Sequence, residues 1–564
     1  MTFVSYEFLL FMAVCLVLCR MGGRGLRPGL LFCASLAFLW LSGGVLSLAA
    51  YGFSAFTVWA GALGIERAGA SAESRAGAGP TGAGGSGADA DLAGSGGPAA
   101  RKKRGIFLAV LLLNLAVLAA FKYVNFPGYT LRELAWLTGS LDSFAWTPLA
   151  VPAPAAISFY TLTLLGYLIE VYWGVEQAQK SFWRVALFGG FFPQMSTGPI
   201  ARWGEVSGSL FGPGRKAGEA SPLRSGPGLD AADVFFGLRR VLWGLFKKLV
   251  IAERLGVVVD AVYGDYTTYT GSFLVLGAVC FAFQLYADFG GAADIAIGCA
   301  RMFGVRLSEN FFQPFYSRSI AEFWRRWHMT LGGWFKDFVM YPLLRTRAFE
   351  RLGGVCRKRF GKKAGKRLTT ATALFVVWFL LGLWHGGMWT FIIGSGLYHA
   401  FLMSLALLAE PWTAGFYKKT GIDREHPLWI AWQRVRTFVL VTVGFVFFRS
   451  DSLGMAFGIL RGMGSGDMGL FTREGFESLG LSAADWGVLA AGLAILWAVS
   501  FVKERARTAG ADVPADSSAA AAGTGVSVCW QRISVVCAAL AFGVLILGFY
   551  GQGYDAAAFI YAAF

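Results

Sequence analysis

Between Leu368 and Ala409 the chain carries no Asp, Glu, Lys or Arg. A helix needs about 20 apolar residues to cross the ~30 Å hydrocarbon core of a bilayer, so this one run accommodates two crossings. Other uncharged runs lie at 28–65, 105–121, 144–169, 185–201, 266–287, 437–448, 486–502 and 533–554, with a short apolar core at 8–19. Lipid offers no partner to an exposed backbone N–H or C=O, which leaves helices and closed barrels as the only spanning structures. Continuous apolar runs of this length are helical. Charged residues make up 15% of the chain, against about 25% in a soluble domain. The fold class expected is an all-α polytopic integral membrane protein, with about 11 transmembrane helices.

The basic residues of this +16 chain are clustered. Segments 20–27, 66–104, 301–367, 410–436 and 503–508 are rich in Lys and Arg, and the positive-inside rule puts them in the cytoplasm. The loops near 122–143 and 255–265 are poor in both and face outward. The two sets alternate if the N-terminus is extracytoplasmic. Basic residues interleaved with apolar sequence argue against nucleic-acid binding. The N-terminus has Glu7 and no basic n-region, so it reads as a first span and not as a removable signal peptide. Residues 1–65 form N-terminal spans, 66–104 a Gly/Ala/Ser-rich cytoplasmic linker, 105–450 a core, and 451–564 C-terminal spans with a second linker at about 509–526. Gly43-Gly44 is the turn expected within 28–65. None of the eight cysteines forms a C-x-x-C pair, so no metal site is expected.

Segment 185–254 fits the alternation least well. Pro193, Gly198 and Pro199 interrupt one apolar run, and Lys247 and Lys248 sit in the middle of another. Such broken segments survive at membrane depth only where protein or a water-lined cavity covers them. Re-entrant or interfacial helices around an internal cavity are therefore expected.

Polar residues inside apolar sequence are costly and are functional candidates. The stretch from Gln284 to Leu343 holds Asp288, Asp294, Glu309, Asn310, Arg325, Arg326 and His328. Asp288 precedes a Gly pair and is expected to cap a helix starting near Ala292. Arg325 and Arg326 can anchor at the interface, pair with Asp288, Asp294 or Glu322, or meet a phosphate-bearing ligand. Helical spacing puts Trp324, His328 and Leu331 on one face, where His328 suits packing and chemistry equally.

His385 lies in LLGLWHGGMWTF, one of four histidines in the chain. Its neighbours Trp384, Met388 and Trp389 offer little polar company, and Gly386-Gly387 admits a close approach. Burial favours the neutral imidazole, which can take a proton from a hydroxyl. His399 reads as structural and His426 as a solvated loop residue. No P-loop, nucleophile elbow or dinucleotide fingerprint is present.

Several stretches together resemble the membrane-bound O-acyltransferases, in their bacterial branch acting in alginate O-acetylation and teichoic-acid D-alanylation. They are ISFYTLTLLGYLIEVYWG (157–174), FFPQMSTGPIARW (191–203), GLFKKLVIAERL (244–255), YADFGGAADIAIGCARMFGVRLSENFFQPF (286–315), SIAEFWRRWHMTLGGWFKDFVMYPL (319–343), LLGLWHGGMWTFIIGSGLYHA (380–400) and VGFVFFRSDS (443–452). They occur in the family's order over more than half of the chain. The chain departs from the pattern after Pro342, where LLRTRAFERLGG replaces a Leu-Gly-Gly-Asn-Arg turn, and at AAISFYTLT.

The resemblance implies helices around a central pore, and a transferase of the cytoplasmic (inner) membrane. It implies no tightly bound cofactor. A thioester donor, acetyl-CoA or an acyl carrier protein, delivers an acyl group, acetyl foremost. The acceptor is a hydroxyl of a cell-surface polysaccharide, reached directly or through an extracytoplasmic acetyltransferase partner. By resemblance His385 is the general base, and His328 orients the donor or stabilises the oxyanion. Trp324, Arg325, Arg326, Trp384, Asp288 and Asn310 are donor-binding or pore-lining candidates. Two other classes fit the polar residues: a flippase of an envelope intermediate with His385 as proton relay, and a non-catalytic scaffold for an extracytoplasmic transferase.

Overall fold

The structure, a computed structural model, describes residues 1–76, 97–141, 144–212, 230–509 and 526–550. Most of the first linker and nearly all of the second lie outside the described residues. At the first linker's edges, helices reach Ala76 and resume at Pro98. Every regular element among the described residues is helical. The protein is a multi-pass membrane protein.

Eight helices among the described residues are long and apolar enough to span a membrane, fewer than the eleven expected. One of them, Gly25–Ala70, has 46 residues and is ~69 Å long at ~1.5 Å per residue. It breaks at Gly43 and Gly44, where Gly44 has φ 64°, so the expected turn is present and the length suffices for two crossings. The runs expected to span at 144–169 and 185–201 instead form shorter helices, Ile157–Trp173, Phe182–Gly190 and Phe192–Met195. Their residues are nearly all buried by protein. An uncharged run shows that its surroundings are apolar and does not distinguish lipid from neighbouring helices.

Contacts between loops sort the ends of the helices. Met1 bonds the Leu41 carbonyl through its amino group and accepts from the Ser42 hydroxyl, so the N-terminus and the Gly43–Gly44 break share one side. Arg27 donates to the carbonyls of Phe303 and Ser209, which joins two of the basic segments on the other side. At the basic-poor side Glu133 accepts from the Leu453 amide, Arg449 pairs with Asp260 at 2.8 Å, and Thr270 bonds Asp467.

Lys247 and Lys248 lie in a π-helical segment, Phe246–Ala252, packed on the long helix Ser272–Met302. The wider turn sets both ammonium groups against acids of that helix. Lys248 meets Asp288 at 2.6 Å and Glu253 at 2.6 Å, and Lys247 meets Asp294. Arg240 bonds Asp294 at 2.5 Å and grips Glu309 with both terminal nitrogens. Asp288 is thus not a helix cap. It sits mid-helix, where the Lys248 ammonium compensates its buried charge.

Removing one member strands the other. Lys248→Met should destabilise the protein by about 3–5 kcal/mol. The double variant Lys248→Met/Asp288→Leu should recover most of that loss. Thermal unfolding in detergent or nanodiscs checks both.

Candidate active site

His385 is the last residue of the helix Lys362–His385, which begins on the basic side. The helix stops because Gly386 is fully extended (φ 170°, ψ 160°). A second π-helical segment, Phe391–Leu397, then returns against the same helix. The approach is tight. A Cβ on Gly382 would lie 2.8 Å from the Ile392 Cα, and one on Gly396 would lie 2.6 Å from the Trp378 carbonyl oxygen. Small residues permit such close backbone contact between membrane helices. The His385 ring lies edge-on to Phe448 at 5.5 Å and to Trp384 at 5.1 Å.

His328 was expected on a continuous helical face with Trp324 and Leu331. The structure corrects this: the helix Ile320–Arg326 ends first, and His328 is the left-handed residue (φ 43°, ψ 53°) that opens Met329–Phe335. That conformation is disfavoured for a residue with a side chain and persists only where surroundings impose it. Here the Met329 amide donates to the Asn310 carbonyl at 2.9 Å, and the Phe312 amide to the Arg326 carbonyl at 2.8 Å. The His328 ring is edge-on to Phe289 at 4.8 Å and stacks near Phe159 at 6.5 Å. Trp384 lies 6.2 Å away and so has a ring contact with each of the two histidines. Burial holds the His328 imidazole well below its ordinary pKa, in the neutral form.

Both histidines line one cavity of about 100 Å³. Leu374, Val377, Trp378, Leu381 and His385 form one of its walls, the i, i+3, i+4, i+7, i+11 face of a single helix. That wall is ~17 Å long at ~1.5 Å per residue. Trp324, Leu331, Gly332 and Lys336 close the other side. The Lys336 side chain is 56% exposed and marks the mouth. A third π-helical segment, Lys336–Met340, forms this rim, and such segments recur at functional sites. The cavity thus has both Lys336, in the basic segment 301–367, and His385 among its lining residues.

Of the residues singled out from sequence, Trp324, Trp384 and Asn310 gather around the histidines, Asn310 through its Oδ1 at 3.1 Å from His328 Nδ1. The others lie elsewhere. Arg326 is buried in a two-pronged pair with Glu504 at 2.8 and 3.1 Å and also bonds Glu322 at 2.6 Å. It ties the short helix to Ala483–Thr508. Arg325 is exposed, and Asp288 belongs to the Lys248 pair. His399 is fully buried, edge-on to Trp324 at 4.9 Å, and His426 accepts from the Leu428 amide as a helix cap.

Sequence reading missed Lys122. It ends the helix Pro98–Lys122, donates to Ser158 Oγ at 2.9 Å and lies 5.1 Å from the Trp384 ring. A single lysine closing an apolar run looks like an interface anchor. Only the return of Tyr123 and Phe126 against Gly387 brings it to the site.

No protein-family model matches the chain. It is 31% identical over 418 residues to a probable alginate O-acetylase of Pseudomonas syringae pv. tomato, a match that covers 74% of this chain and 71% of that protein. The chain belongs to the membrane-bound O-acyltransferase family. A peptidoglycan O-acetyltransferase of Helicobacter pylori is 30% identical over 390 residues, covering 65% of this chain and 66% of its own length. A teichoic acid D-alanyltransferase of Bacillus subtilis is 26% identical over 294 residues, 52% of this chain and 65% of its own. The chain thus spans about two thirds of the length of these relatives. Membership in this family makes it an acyl-transfer enzyme.

The helix crossing behind His385 is testable. Gly382→Ala places a methyl against backbone that cannot yield, and should cost about 1–3 kcal/mol in thermal unfolding. Gly332→Ala, whose nearest neighbour would be the Trp324 carbonyl oxygen at 3.6 Å, should leave stability unchanged.

Proposed function

We propose that this membrane-bound O-acyltransferase moves an acyl group, acetyl by likeness to its relatives, from a cytoplasmic thioester donor to a hydroxyl of a cell-surface polysaccharide. The donor is acetyl-CoA or an acyl carrier protein. Transfer is direct or passes through an extracytoplasmic acetyltransferase partner. The protein works in the bacterial inner membrane with its N-terminus outside. The observation that carries this reading is the single cavity that joins the Lys336 mouth on the basic side to His328 and His385 at the far end of a helix.

The donor's thioester arm enters at Lys336 and lies along the Leu374–Leu381 wall. The acceptor hydroxyl arrives from the side of Lys122 and Ser158. His385 takes the hydroxyl proton as the oxygen attacks the thioester carbonyl carbon. The new C–O bond forms, the C–S bond breaks, and the proton passes to the departing sulfur, which leaves as a thiol. The aromatic wall of Trp324, Trp378 and Trp384 excludes water that would otherwise compete for the acyl group.

Purified protein in nanodiscs, given labelled acetyl-CoA or acyl carrier protein and an acceptor glycan, should release thiol. His385→Ala should lower that turnover by about 10²–10⁴-fold while leaving insertion and thermal stability intact. Unchanged turnover would remove His385 from the chemistry. Gly332→Phe should fill the cavity and block the donor without touching either histidine.

A further inference from the structure

Asn310 Oδ1 is a meeting point of hydrogen bonds. The Thr330 amide donates to it at 3.3 Å, the Thr330 hydroxyl at 2.9 Å, and His328 Nδ1 lies 3.1 Å away. A backbone amide can only donate, so the atom it meets is the carbonyl oxygen of Asn310 and not its NH₂ group. The hydroxyl's direction is fixed as well. Thr330 Oγ1 accepts from the Ile200 amide at 3.1 Å, which leaves its own proton for Asn310. An oxygen that only accepts requires His328 Nδ1 to carry its hydrogen. A neutral imidazole has one N–H, so the lone pair is then on Nε2.

We propose that Asn310 is a positioning residue that locks His328 in the Nδ1–H tautomer, so that Nε2 accepts a hydrogen bond from a substrate N–H or O–H group. This rests on the acyl-transfer reading of the site. It decides between the two roles that the resemblance left open for His328. A neutral ring whose only proton is committed to Asn310 has none to give a developing oxyanion, so His328 orients a substrate. The ring has little freedom to turn. Phe289 and Phe159 pack on it, and its backbone is pinned by the Met329–Asn310 bond. The hydrogen bonds reach back through Thr330 to Ile200, in the broken segment FFPQMSTGPIARW, so that segment helps set the imidazole.

The direct test is nitrogen-15 NMR of the histidine-labelled full chain in nanodiscs. Only four histidines contribute, and His328→Gln identifies the His328 signals. At neutral pH they should show a protonated Nδ1 and a lone-pair Nε2. A proton on Nε2 overturns the proposal. This readout needs no turnover, so it stands or falls apart from the acyl-transfer reading.

The second test is the pH profile of thiol release. Asn310→Asp keeps an accepting oxygen but adds charge beside Nδ1–H, which stabilises the imidazolium. Activity that requires neutral His328 should then fall off at a pH higher by roughly 1–3 units on the acid side. Asn310→Leu should lower kcat or raise a KM by at least about 10-fold. A raised donor KM assigns the substrate group to the thioester arm, and a raised acceptor KM assigns it to the acceptor hydroxyl. An acid limb that does not move in Asn310→Asp contradicts the proposal.

Discussion

An apolar interior tolerates a charge or a polar atom only when another group answers it, and that constraint shapes this bundle. Lys248 with Asp288, Lys247 and Arg240 with Asp294, and Arg326 with Glu504 each join a discontinuous element to a long helix. These pairs are dearer than apolar packing would be, but breaking one strands a buried charge, so they fix register. Short, broken helices that could slide against one another are held in place. One of them, Ile320–Arg326, held by Arg326 and Glu504, supplies Trp324 to the wall of the cavity.

The same demand, met by neutral groups, builds the site. Asn310 satisfies Thr330 and His328 together, and the left-handed turn at His328 is the backbone consequence. Glycines at 382 and 396 bring the π-helical return against the helix that ends in His385. Trp384 has a ring contact with each of the two histidines. The result is a cavity lined by both imidazoles, with the exposed Lys336 at its rim.

Much of this was legible in the sequence. His385 stood out as an imidazole in a run without Asp, Glu, Lys or Arg, beside a glycine pair, and the turn expected at Gly43–Gly44 is present. Other features were hidden for physical reasons. An uncharged stretch such as 157–173 reads the same whether lipid or protein covers it. Asp288 shortly before two glycines looks like a cap, and only the three-dimensional partner, Lys248, shows otherwise. Trp324, His328 and Leu331 were expected on one helical face; they share a cavity but not one helix, because Asn310 holds a turn that pattern cannot reveal. Lys122 carried no local signal at all.

The central claim is that a thioester donor reaches His385 along the face of one helix. A structure of the protein with a non-transferable thioether analogue of the donor tests it most directly. The account predicts the arm lying against Leu374, Trp378 and Leu381, with its acyl carbon beside His385 and a hydrogen bond to His328 Nε2. A donor bound elsewhere, with the passage still closed by side chains, would contradict it.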